Sequence, residues 1–221
     1  MTQQRTSTAL STGSAADFIP PNPTLHKLRA AAAGCRGCDL WVNATQTVFG
    51  EGPRTADVMF VGEQPGDQED RQGHPFVGPA GQLLDAGLAE AGIDRSRVYV
   101  TNSVKHFKFV VIERGRRLHK KPSAGEVRAC NPWLQEEIRL VKPRVVVALG
   151  ATAAQALLGK QFRVTQDRGK PIQRGTDFAE AVVATVHPSA VLRAPADARE
   201  EARREFFADL KKVAAYLKRS A

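Results

Sequence analysis

Three short stretches of this sequence carry side chains that handle charge and protons. Gly62-Glu63-Gln64-Pro65-Gly66-Asp67 supplies acids and an amide, Thr101-Asn102 a second amide, and His187-Pro188-Ser189 an imidazole followed by a hydroxyl. Each comes at the end of a short apolar run, at 58–61, 98–100 and 181–186. Gly, Pro, Asn and Ser are ordinary currency in strand-to-helix turns, and for any one segment that explanation suffices. An acid, an amide and an imidazole at three strand ends on one edge of a sheet favour a site.

The first stretch continues as a loop to Gln72-Gly73-His74-Pro75-Phe76-Val77-Gly78. Phe76 sits in mostly polar surroundings, where it serves either as a core side chain or as a platform that stacks on a flat ligand. His74 reads as a structural or surface histidine. A further constellation is Cys35-x-x-Cys38, with Cys130 far along the chain and His106 after the second apolar run. A lone C-x-x-C also arises as a redox pair or by chance. Three cysteines and one histidine are a donor set for structural zinc, though spacing alone does not bring His106 and Cys130 to the pair.

These residues need a frame. The apolar runs, with a further one at 145–149, are continuous rather than alternating, which is the mark of parallel strands covered on both faces. Helical patterns lie between them. Thr24 opens a short helix that Gly34 closes, 82–91 carries Leu83, Leu84 and Leu88, and Ser123 with Glu126 forms a capping box. The capped helix turns Val127, Cys130, Leu134 and Ile138 inward, another helix starts at Ala151, and Asp197 caps the last one, which buries Phe206, Phe207, Leu210, Val213 and Leu217. The expected fold is a three-layer α/β/α sandwich with a central parallel four-stranded sheet. In such sheets ligands bind beyond the carboxyl ends of the strands. One domain is expected over 24–221. Residues 1–23 are polar, end in the Pro20 to Pro23 stretch and read as a disordered tail. Residues 107–122 (FKFVVIERGRRLHKKP) break the rhythm and read as a long inserted basic loop.

With 32 Lys and Arg against 23 acids, the 221 residues carry a formal charge of +9. That balance suits a polyanion such as nucleic acid, although charge by itself separates this weakly from a merely basic protein. No apolar run is long enough to span a membrane, and the first residues lack the pattern of a signal peptide, so a cytoplasmic protein is expected. An odd number of cysteines in that compartment argues against a disulfide framework.

GEQPG (62–66), PFVGPAG (75–81), TN (101–102) and HPSAVLR (187–193) together resemble the iron–sulfur uracil-DNA glycosylases, in order and over about residues 24 to 217. Three departures from the ordinary family 4 members resemble the X-type subgroup: Gln64 in place of a small residue, His106 in place of a fourth cysteine, and the basic loop ending Arg116-Arg117-Leu118-His119. The subgroup usually has Ile where Leu118 stands and Lys where Gly115 stands. Gly115 removes one positive charge and adds flexibility.

The resemblance implies an enzyme that excises uracil from DNA and becomes linked to C1′ of the abasic sugar through His119, in a single turnover. The alternative is a conventional glycosylase with water as nucleophile. Cys35, Cys38, His106 and Cys130 are then expected to hold a [4Fe–4S] cluster, in place of the zinc read from the residues alone. Phe76 would stack on the flipped-out uracil, Asn102 would read its edge, with Gly62 beside them, and His187 would hydrogen-bond O2 as charge gathers there. Glu63, with Asp67 at longer range, would stabilise the sugar cation, and Gln64 would hydrogen-bond His119. Arg193, Ser189, Arg116, Arg117, Lys120 and Lys121 would hold DNA, single-stranded DNA preferred, with the protein acting as a monomer. A non-enzymatic DNA-binding protein and a small-molecule α/β enzyme are the competing readings. The three polar strand ends argue against the first, and the charge and basic loop against the second.

Overall fold

Each apolar run becomes a strand because both of its faces find cover. A computed structural model describes residues 13–173 and 178–219. In chain order its elements are α1 (Leu25–Ala32), β1 (Val58–Gly62), α2 (Asp67–Gln72), α3 (Pro79–Ala91), β2 (Val98–Asn102), β3 (Phe109–Val111), β4 (Arg117–His119), α4 (Ala124–Val141), β5 (Val145–Leu149), α5 (Ala151–Leu158), α6 (Val164–Asp167), β6 (Pro171–Ile172), β7 (Ala181–Thr185), α7 (Pro188–Leu192) and α8 (Arg199–Arg219). Val58 and Phe60 of β1 and Val145 and Val147 of β5 enter one core with Leu84, Leu88, Phe206 and Leu210. Met59, Val61, Val146 and Ala148 point the other way, onto Leu134, Ile138 and Ala153. Helices α3, α7 and α8 thus cover one face, and α4 and α5 the other, as the three-layer reading expects.

The sheet has five strands in the order β2-β1-β5-β7-β6, not four. The fifth, β6, runs antiparallel to β7 at the edge. At two residues it is too short to leave an apolar run in the sequence, and Pro171 suits an edge position. The other four are parallel, so Gly62, Asn102, Leu149 and Thr185 end at one edge, with Gly62 directly beside Asn102.

Three local expectations change. The stretch after β1 is not all loop: 67–72 is helix α2, whose polar sequence (DQEDRQ) has no apolar stripe to reveal it. The basic segment 107–122 folds as an antiparallel hairpin in which β3 pairs with β4, Phe109 opposite His119. Arg114 (φ 59°) and Gly115 (φ 75°), both left-handed, lie in its turn, so Gly115 supplies a defined bend. The last helix begins at Arg199, past Asp197. Thr24 and Ser123 cap their helices as read, the latter in a reciprocal capping box with Glu126.

The expected tail also needs correction. Residues 1–12 lie outside the described residues, but Ala15–Phe18 forms a 3-10 turn and Ala15 is fully buried. It joins a third core with Leu28, Phe49, Trp133, Cys35, Cys38 and Cys130. Pro20 to Pro23 therefore links two packed segments. Beside this core lies a buried ion pair, Lys105 Nζ to Glu137 Oε2 at 2.5 Å. Lys105 also donates to the Asn102 carbonyl, and Glu137 accepts from Tyr99, Thr101 and the Gly50 N–H, so the pair's other polar groups are satisfied. No described helix is long and apolar enough to cross a membrane.

Candidate active site

The carboxyl edge of the sheet opens into a cavity of about 440 Å³ that Glu63, Phe76, Asn102, His119, His187 and Arg193 all line. Gly62 makes this convergence possible. A Cβ there would collide with Asn102 Oδ1 and stand 2.9 Å from Phe76 Cζ. Phe76 has a left-handed backbone (φ 58°), a conformation costly for a bulky residue. Its ring lies nearly parallel to that of His187, with centroids 6.3 Å apart. Asn102 is buried, with its carboxamide facing the cavity.

His187 is held in one tautomer. Its Nδ1 accepts from the Ser189 N–H at 3.1 Å and lies 2.8 Å from the Ser189 hydroxyl. In the neutral ring the proton is therefore on Nε2. Burial, helped by Arg193 and His119, lowers the pKa to about 4, so the ring is neutral near pH 7. Ser189 thus serves the histidine through both its amide and its hydroxyl.

Glu63 and His119 meet across the cavity, His119 Nε2 lying 3.4 Å from Glu63 Oε1. The other carboxylate oxygen accepts a 2.5 Å hydrogen bond from Thr152 at the start of α5. Burial holds the His119 pKa below the usual histidine value, against the opposing pull of Glu63, and Arg193 adds to the depression.

Gln64 does not bond the His119 ring. Its amide donates to the Lys108 and Lys120 carbonyls at 3.3 and 3.0 Å and accepts from the Lys108 N–H at 3.1 Å, clasping the two legs of the hairpin. Asp67 does not line the cavity and pairs with Arg71 and Arg117. Arg117 is not free for phosphate. It also bonds Asp70 at 2.6 Å and lies over the rings of Phe107 and Phe109. Arg116 and Lys120 are exposed on the hairpin.

Sequence reasoning missed Thr152, Glu69 and Asp70. Glu69 accepts from the N–H groups of Gly66 and Gly78, tying together the two loops that carry Glu63 and Phe76. Thr152 directly follows Gly150-Ala151 at a strand end, on the same edge as the three stretches singled out, and that position was its one signal.

The three cysteines are buried in one core. Cys35 Sγ accepts from Trp133 Nε1 at 3.4 Å, and Cys130 Sγ from the Lys105 N–H at 3.3 Å. Burial pushes the Cys130 thiol up to about 12. A thiolate there needs cationic compensation, which a metal centre supplies. His106 Nε2 lies 2.8 Å from the Thr47 hydroxyl, which itself donates to the Ala32 carbonyl. The hydroxyl proton is thus spent, Nε2–H donates to Thr47, and Nδ1 keeps a free lone pair, as a metal ligand requires. Among the described residues no group of three or more His, Cys, Asp or Glu is arranged to hold a metal ion.

The profile of the uracil DNA glycosylase superfamily matches residues 49–211. The type-4 uracil-DNA glycosylase of Thermotoga maritima is 38% identical over 188 residues, covering 84% of this chain and 90% of the relative. That of Pyrobaculum aerophilum is 39% identical over 177 residues, covering 78% and 86%. A type-5 uracil-DNA glycosylase of the same organism is 31% identical over 182 residues, covering 76% of each. With the profile spanning the sheet and every strand end that lines the cavity, this chain belongs to the uracil-DNA glycosylase superfamily.

Proposed function

We propose that this protein is a uracil-DNA glycosylase of the X type, which excises uracil and retains the DNA through a bond from His119 to C1′. The observation that carries the reading is the approach of His119 to Glu63 at 3.4 Å over a cavity that also holds Phe76, Asn102 and His187.

The uracil enters extruded from its strand and stacks on Phe76. The Asn102 carboxamide donates to O4 and accepts from N3–H. Cytosine presents the reverse pattern and leaves these buried groups unpaired, which makes rejection strong. As the N1–C1′ bond breaks, its electron pair moves onto the uracil, and His187 Nε2–H, fixed by Ser189, donates to O2. The Glu63 carboxylate, held by Thr152, stabilises the cationic sugar. The unprotonated ring nitrogen of His119 supplies the pair for the new C1′–N bond. The ring proton is released by way of Glu63 and ends on the departing uracil, which balances the exchange.

Arg193, at the rim, occupies the gap left by the extruded base. Cys35, Cys38, His106 and Cys130 would hold a [4Fe–4S] cluster. The lone pair on His106 Nδ1 and the N–H donors to Cys35 and Cys130 support that assignment. Bound there, the cluster would act structurally, joining α1, the segment after β2, and α4.

The test mixes the protein with a labelled single-stranded oligonucleotide containing uracil and resolves the products on a denaturing gel, with His119→Ser alongside. A heat-stable shifted band from wild type, absent from the variant, is expected. Free uracil and abasic DNA with no shifted band would make water the nucleophile.

A further inference from the structure

Half of the described cations pair with a carboxylate, as with Arg144 and Glu180, Lys211 and Glu90, or Lys108 and Glu126. Three that do not are Lys121, Arg128 and Lys160, which have no ion-pair partner among the described residues. All three line one groove of about 520 Å³ between α4 and α5. The groove adjoins the active-site cavity, with Lys121 and Thr152 lining both. It therefore begins one side chain from Glu63, to which Thr152 donates.

Its lining suits a nucleotide. Pro122, Val127 and Pro132 give it an apolar wall, and the amides of Asn131 and Gln135 offer donors and acceptors. Unpaired cations at the rim match phosphate, and apolar wall surface matches the face of a base freed from pairing. A strand whose uracil fills the cavity can leave past Thr152, where the groove adds three cations without an ion pair to the unpaired Arg193 of the cavity itself. A nucleotide still paired to a complementary strand cannot lay its base into such a recess.

We propose that this groove seats the unpaired nucleotide next to the uracil, its phosphodiester held by Lys121, Arg128 and Lys160. The proposal rests on the reading of the cavity as a uracil site and adds to it a cause for preferring single-stranded substrate.

Arg128 and Lys160 are exposed and lie outside the catalytic cavity, so the double reversal Arg128→Glu/Lys160→Glu leaves the fold intact. A matched reversal, Lys218→Glu/Arg219→Glu, sits at the far end of α8. Each full-length protein is titrated against a uracil-containing single-stranded 15-mer under single-turnover conditions at several salt concentrations. The groove variant is expected to need about tenfold more protein for half-maximal uracil release, with the same maximal rate. Its log–log salt slope should flatten by about 0.7 for each phosphate it no longer neutralises. On a 2′-deoxyuridine nucleotide with no neighbouring nucleotide it should match wild type. Half-saturation within twofold of wild type, or an equal loss in the α8 variant, would overturn the proposal. If wild type releases no uracil from any substrate, the uracil reading falls. Fluorescence anisotropy of the same 15-mer then still decides whether the groove holds a single strand.

Discussion

At the scale of single residues, His187 ties protonation to stability. Its folded pKa, about 4, lies below the ordinary histidine value because burial disfavours the imidazolium. At pH 7 the ring is neutral whether the chain is folded or not, and its full contribution is present. As pH falls below the ordinary value, the unfolded chain takes up a proton that the folded site refuses, so stability declines toward pH 4. Between pH 7 and 4.5, wild type should lose about 2 kcal/mol more than His187→Asn in urea denaturation midpoints converted to free energy. Glu63, Asn102 and His187 were legible in the sequence because each follows an apolar run and has little structural reason to be there. Thr152 and Glu69 were not. A threonine at a helix start and a glutamate in a polar helix are ordinary, and their importance comes from partners across the fold.

At the scale of elements, the hairpin β3–β4 is the part most dependent on a few anchors. Arg117 binds Asp67 and Asp70 below it, with Asp70 fully buried. Arg117→Ala leaves the Asp70 carboxylate without its cation and should cost about 3 kcal/mol, read as a lowered thermal midpoint. On the proposed chemistry, the displacement of His119 should slow adduct formation on the order of 100-fold, while uracil release falls far less. A phosphate-binding role for Arg117 would instead raise the DNA concentration required and leave the midpoint unchanged. The sequence marked 107–122 as an interruption but not as a hairpin. Three-residue strands are too short for a periodic signal, and the pairing of Phe109 with His119 depends on a turn whose Arg114 adopts a left-handed conformation unusual for its type. The four parallel strands were legible for the opposite reason: burial on both faces leaves nearly unbroken runs of Val, Ala and Leu.

At the scale of the whole molecule, three cores share the work, and the third is the smallest. It joins Ala15, α1, the cysteines and Trp133, and touches the active edge through Lys105, which bonds both Cys130 and the Asn102 carbonyl. On the proposed cluster assignment, removing one of its ligands should therefore loosen one region before the rest. Cys130→Ala is expected to abolish the visible absorbance of iron–thiolate bonds and lower the thermal midpoint by roughly 10 °C. Hydrogen exchange should rise over 13–49 and leave the sheet protected. Uniform loss across the sheet would mean that the third core is not a separate unit.

Gln64 holds the hairpin by main-chain groups alone, the carbonyls of residues 108 and 120 and one N–H. A grip of that kind does not depend on which side chains stand at those positions. The hairpin is in this sense a cassette, free to drift at residues 108 and 120 while Gln64 and Arg117 keep its seat. On the proposed chemistry, the hairpin that carries His119 and the glutamine that seats it are the two parts that turn an enzyme releasing its product into one consumed by its reaction.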